Sequence, residues 1–229
     1  MIKGLSEYEK YRVVRPVIGG CELDDQYMPI IRKTLEDAID WERLGITGFK
    51  NLAKKHDNSN TLIHMFSFDK DLMPLWNHPL KRIALFQTCA AVATPDFSAY
   101  ASMNLNEIRH NVYKARWLGC TWQNYGCTVL PTVGWADPRT YDICFSGIEP
   151  GSPVVISTLG CKENAEVFLA GFKEMKKRLN PSIIIVYGDM IKGMSGKFIR
   201  FSYQDSFAMN ASQLYMECVP RVFVVEEGA

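Results

Sequence analysis

Short apolar runs alternate along the chain with longer polar stretches in which apolar positions recur at helical spacing. The runs at residues 44–49, 61–68 (TLIHMFSF), 89–94, 127–133, 154–158, 183–187 (IIIVY), 198–202 and 222–225 predict strands. Between them, residues 28–41 carry Ile31, Leu35, Ala38 and Ile39 on one helical face, and Gly45 follows as a stop. A polar turn with Lys54 and Lys55 follows the first strand, and residues 69–87 predict a helix interrupted by Pro74 and Pro79. Residues 105–118 place Leu105, Ile108, Val112, Ala115 and Leu118 on one face, with Asn104 or Asn106 as cap. Residues 138–145 predict a short helix capped by Asp137, with Pro138 in its first turn. An amphipathic helix over 162–179 stops at Asn180-Pro181, and a last helix falls at about 205–218. Residues 1–27 are polar and irregular, an N-terminal arm or entry segment.

Strands alternating with helices imply parallel βαβ units and an α/β fold. Eight such units would close a (β/α) barrel, but about 185 residues is short against the roughly 250 typical of that fold. A small or irregular barrel is the first expectation and an open parallel sheet the second. With no linker or internal repeat, residues 1–229 read as one domain.

Composition narrows the classes. Hydrophobic residues make up 47% of the 229 and aromatics 12%, enough for a large core. Lys plus Arg number 26 against 25 Asp plus Glu, so the overall field gives no reason to expect a polyanion. The 7 cysteines are scattered and odd in number, which fits a reduced, cytoplasmic chain; Cys144 and Cys161 lack an adjacent His or Lys and read as structural. No C-x-x-C, H-x-x-H or H-E-x-x-H occurs, so no metal site is expected, and no apolar stretch reaches membrane-spanning length. Neither G-x-G-x-x-G nor a P-loop is present, which leaves any cofactor unknown.

In a parallel α/β fold, ligands gather at the carboxyl ends of the strands. Four such ends are rich in polar and small residues: Pro95-Asp96-Phe97-Ser98, Val133 through Asp137, Ser157-Thr158-Leu159-Gly160, and Tyr187-Gly188-Asp189. Asp96, Asp137, Asp142 and Asp189 are candidate acids, bases or nucleophiles, each with a helix cap, turn or ion pair as its plainer role. Two aspartates on neighbouring ends could also attack a glycosidic bond. Arg139 could hold a phosphate or carboxylate, Trp135 or Tyr141 could stack on a base or sugar, and Ser157-Thr158 before a helix suit an anion. The other tryptophans read as core, and Arg109, His110 and Arg116 as a solvated helix face.

PDFSAY (95–100), the Asn111, Tyr113, Arg116, Gly119 spacing, VLPTVGWADPRTYDICFSGI (129–148) and VVISTLGC (154–161) resemble an uncharacterised domain-of-unknown-function family of Gram-positive bacteria, their phages and mobile elements. The likeness covers about residues 17–188. It adds Ser98 and Arg116 to the candidate substrate-binding positions, and it brings no established activity. A Pro-Asp at a strand end is also similar to phage relatives of tRNA-guanine transglycosylases, by fold analogy alone.

The expectation from these readings is a cytoplasmic phage or mobile-element enzyme acting on a nucleoside, nucleotide or nucleic-acid base, of glycosidic-bond hydrolase or transferase type. The alternative is a non-catalytic phage protein that binds a host protein or sequesters a small nucleotide.

Overall fold

The computed structural model describes residues 6, 15–52, 57–202 and 222–228; the turn expected at Lys54-Lys55 and the helix expected at 205–218 fall outside them. All eight expected strands form, most of them shorter than the apolar runs that predict them. They are β1 (Gly45–Gly48), β2 (Thr61–His64), β3 (Ala91–Ala93), β4 (Val129–Leu130), β5 (Val154–Ser157), β6 (Ile184–Tyr187), β7 (Gly196–Phe201) and β8 (Phe223–Val225). The helices are α1 (Asp69–Asn77), α2 (Ile83–Phe86), α3 (Leu105–Asn124), α4 (Tyr141–Cys144) and α5 (Ala165–Leu179). Tight 3-10 turns at Pro138–Thr140 and Lys162–Asn164 lead into the last two.

Strand order follows chain order. β1 to β4 pair in parallel, β5 to β7 do the same, and β8 joins β7 antiparallel, a departure from the all-parallel expectation. The two four-stranded sheets meet beyond β4, where Val133 N donates to Val155 O (2.8 Å) and Val155 N to Pro131 O (2.9 Å). One face of the joined sheet packs Ile46, Leu62, Ala93, Leu130, Val155, Ile185 and Ile199 into a single cluster, so seven successive strands turn the same side inward. The curl is strong enough to bring the exits of β2 and β6 together: His64 and Phe66 stack on Tyr187 with ring centroids 4.5 and 5.1 Å apart. Burial holds the His64 imidazole down to about 4, so it is neutral there. No ladder links β1 to β7 among the described residues, and the sheet is not a closed barrel.

Residues 28–41 correct the sequence reading. Instead of a helix they run extended, with only a 3-10 turn at Glu36–Ala38, because Ile31 is used as an edge: its N donates to Gly147 O and its carbonyl accepts from Glu149 N. Ile31 is fully buried while Leu35 is exposed, so the helical stripe buries only part of itself. Asp24 secures the preceding arm, accepting from Met28 N, Gly147 N and the Ser146 hydroxyl. Helix α3 runs six residues past its expected end, since Trp117 and Trp122 continue its buried face; Asn104 caps it as expected. Gly119 lets α3 approach closely, for a Cβ there would stand 2.7 Å from the Ile31 side chain.

Arg116 also departs from expectation. It is not on a solvated face but 2% exposed, and its guanidinium donates to the carbonyls of Ser146 (2.9 Å), Thr132 (3.1 Å) and Cys144 (2.8 Å). Three fixed acceptors suit the planar fork of arginine. Arg116→Met would orphan three buried carbonyls, at about 1–3 kcal/mol for each that finds no other donor. Urea denaturation should therefore show a loss on the order of 3 kcal/mol, with Arg116→Lys recovering only part; a loss below about 1 kcal/mol would show that the clamp is not needed.

Candidate active site at the strand exits

The exits of β3 and β4 are laced together before they diverge. Thr132 N donates to Thr94 Oγ1 (2.9 Å) and Thr132 Oγ1 to Thr94 O (2.6 Å), both inside the core. Pro95 then turns the chain out, and Asp96 N reaches Met65 O at 3.4 Å beyond β2. The Asp96 carboxyl points across toward β4: its Oδ1 lies 3.4 Å from where a side chain on Gly134 would begin. Gly134, with no side chain, therefore lets the β4 exit lie close against the carboxyl.

No cation pairs with Asp96 among the described residues. Burial first, and then the like charge of Asp69, push its carboxyl up to about 7. Asp69, the first residue of α1, is fixed by Ser98, whose N and Oγ both donate to its Oδ1 at 3.0 Å. Ser98 is held in turn by Asn111, whose amide donates to the Ser98 carbonyl (2.7 Å). Lys114, buried on α3 with its ammonium 4.2 Å from the Phe97 ring centroid, has its pKa lowered by desolvation, with Asp69 opposing. Phe68 and Tyr100, on the loops after β2 and β3, are 76% and 64% exposed.

The other three aspartates have partners. Asp137 caps the turn at Pro138–Thr140 by accepting from Arg139 N (3.0 Å), and it binds the Arg139 guanidinium at 2.5 Å. Asp142 pairs with Arg178 at 2.6 Å on the wall of a separate cleft of about 830 Å³ that includes Asp24 and Glu149. Asp189 takes both Lys162 (2.7 Å) and Arg200 (2.6 Å). Hydrogen bonds from these cations, Lys162 foremost, hold it below the usual carboxylate range.

The expected binding residues also divide. Arg139 is occupied by Asp137 and the Ala101 carbonyl. Trp135 packs on Phe145 and Phe168 and lies over Gly171, where any Cβ would clash with its indole. Tyr141 is buried against Phe145, and among the described residues its hydroxyl has no partner. Ser157 Oγ accepts from Leu159 N and donates to Tyr187 O, which shapes the turn; Thr158 is buried beside it. Sequence reading passed over Phe68 and Asp69, although Phe68 ends the TLIHMFSF run and Asp69 follows it, as Asp96 follows its own run. It also missed Lys114, which nothing in the helical pattern marks.

These features define an α/β protein with a chain-ordered sheet and a desolvated aspartate at its strand exits. The chain belongs to the family described as "Domain of unknown function (DUF4417)", matched over residues 33–204. It is 38% identical over 133 residues to the "Gene 1 protein" of Mycobacterium phage D29, a stretch covering 57% of this chain and 49% of that protein. It is 37% identical over 131 residues to the "Gene 1 protein" of Mycobacterium phage L5, covering 56% and 57%. The chain thus spans about half the length of these curated relatives. No solved structure matches it. Among the described residues, no helix is long and apolar enough to cross a membrane, and no group of three His, Cys, Asp or Glu is placed to hold a metal ion.

The raised carboxyl carries a stability signature. In the unfolded chain Asp96 ionises near pH 4, whereas in the folded protein it keeps its proton to about pH 7. Between these values the folded state binds the extra proton, so stability falls as pH rises from about 4 to about 7, by on the order of 4 kcal/mol. Asp96→Asn removes that loss. Urea denaturation at several pH values should show its advantage over the wild type growing from pH 4 to pH 8; a difference independent of pH would mean that Asp96 titrates normally.

Proposed function

We propose that this protein is an enzyme acting on a nucleoside or nucleotide, cleaving or exchanging its glycosidic bond with Asp96 as general acid. The observation that carries this reading is the Asp96 carboxyl: desolvated, beside Asp69, without a counter-cation among the described residues, and turned toward the bare backbone of Gly134. A carboxyl held near neutrality can keep a proton to donate to a departing base and still give it up readily. The exposed rings of Phe68 and Tyr100 support a planar substrate, since such faces stack on a base whatever its identity. Asp69 then acts through its charge, keeping the proton on Asp96, while Ser98 and Asn111 keep Asp69 in place.

Base release from nucleosides, nucleoside monophosphates and short oligonucleotides, followed by chromatography, tests this reading. The expected result is turnover that Asp96→Asn reduces by about 10²-fold or more. Its pH profile should fall as pH rises through about 7, where the donor loses its proton. Base release unaffected by Asp96→Asn, or none from any member of the panel, would reject it.

A further inference from the structure

The loops leaving β5 and β6 form a depression of about 390 Å³ whose walls include Thr158, Gly160, Lys162, Gly188 and Asp189. Thr158 is 4% exposed, yet among the described residues its hydroxyl has no hydrogen-bond partner. Leaving such a group unbonded is costly unless something else bonds to it. Gly188 (φ +123°) runs so close to this hydroxyl that a Cβ there would overlap it, and Gly160 (φ +71°) has open space where its side chain would be. Both positions keep bare backbone on the wall, as close approach of a ligand to the main chain requires.

The 3-10 turn Lys162–Asn164 precedes α5, which begins at Ala165 beyond the non-helical Asn164, so the main-chain amides beside the depression are those of the turn. Asp189 on this wall takes both Lys162, which lines the depression with it, and Arg200, which reaches it from β7. Glu163 also lines the depression, so selectivity comes from directed donors rather than from net charge. The loop lies near Asp96: the Cys161 thiol, between Gly160 and Lys162, is raised first by burial and then by the Asp96 charge.

We propose that this depression binds a phosphate group, and that the substrate reaching Asp96 is a phosphate monoester, a nucleotide rather than a free nucleoside. Assigning the phosphate to the substrate rests on the Asp96 reading; the phosphate site itself does not. The Thr158 hydroxyl and the amides of the turn would donate to the phosphate oxygens, with Lys162 turning from Asp189 to the new anion.

Titration with inorganic phosphate, followed by amide NMR shifts and calorimetry on the full chain, tests the site. Saturable shifts at residues 158–163 are expected. Thr158→Val, which keeps the shape and removes the hydroxyl, should weaken binding about tenfold. Lys162→Gln should also weaken it, Asp189→Asn should tighten it by freeing two cations, and Asp96→Asn should leave it unchanged. Absence of saturable shifts, or equal affinity in Thr158→Val and Lys162→Gln, overturns the phosphate site and leaves the Asp96 reading standing. Phosphate binding together with base release that Asp96→Asn does not slow overturns the Asp96 reading and the assignment of the phosphate to a substrate.

Discussion

The structure depends on the seam between β4 and β5. Among the described residues, the main-chain bonds of Val155 to Pro131 and Val133 join the two half-sheets there, and the buried Arg116 grips the same crossing through the Thr132 carbonyl. The guanidinium also holds Cys144 and Ser146, so one side chain sets α3, the β4 exit and the turn after α4 in register. Burial lowers its pKa to about 10, which still leaves it charged at neutral pH. A buried charge is tolerated when its hydrogen bonds are met, and here three carbonyls meet them. The alignment has a consequence at the rim: it brings Gly134 opposite Asp96 and the β5 exit alongside.

Across that rim, environment separates carboxylates of identical chemistry. Asp137, Asp142 and Asp189 each sit with arginine or lysine at hydrogen-bonding distance, and these pairs are at least partly exposed. Asp96 has burial and a neighbouring carboxylate instead, both of which favour the proton. Such an arrangement lowers stability at neutral pH, and perturbed groups of this kind concentrate at functional sites, though structural networks perturb groups too. The proposed chemistry accounts for why the chain keeps an unpaired acid where a cation or an amide would be more stable.

Much of the architecture was legible in the sequence because the strands announce themselves. Runs such as IIIVY are apolar at every position, as strands buried on both faces must be, and Asp137-Pro138 and Asn104 mark helix starts by local hydrogen bonding. The misreadings arise where tertiary contacts override local pattern. Residues 28–41 have helical spacing, yet Ile31 finds main-chain partners more than a hundred residues away. Arg116 looks like a surface charge until the Ser146 and Cys144 carbonyls are brought to it. At the rim, the sequence put Asp96 first, with one of Asp137, Asp142 or Asp189 as its partner, but which of these meets a cation depends on what arrives from other elements. Asp69 went unnoticed for the same reason: its effect is a charge placed beside Asp96 by the fold.

The account turns on the protonation of one side chain. Carboxyl ¹³C shifts of the folded protein, with the Asp96 signal assigned by its absence in Asp96→Asn, would follow that proton directly across pH 3 to 9. The account predicts a midpoint near 7. A midpoint near the ordinary aspartate value of about 4 would show that the carboxyl is solvated and charged, and would contradict it.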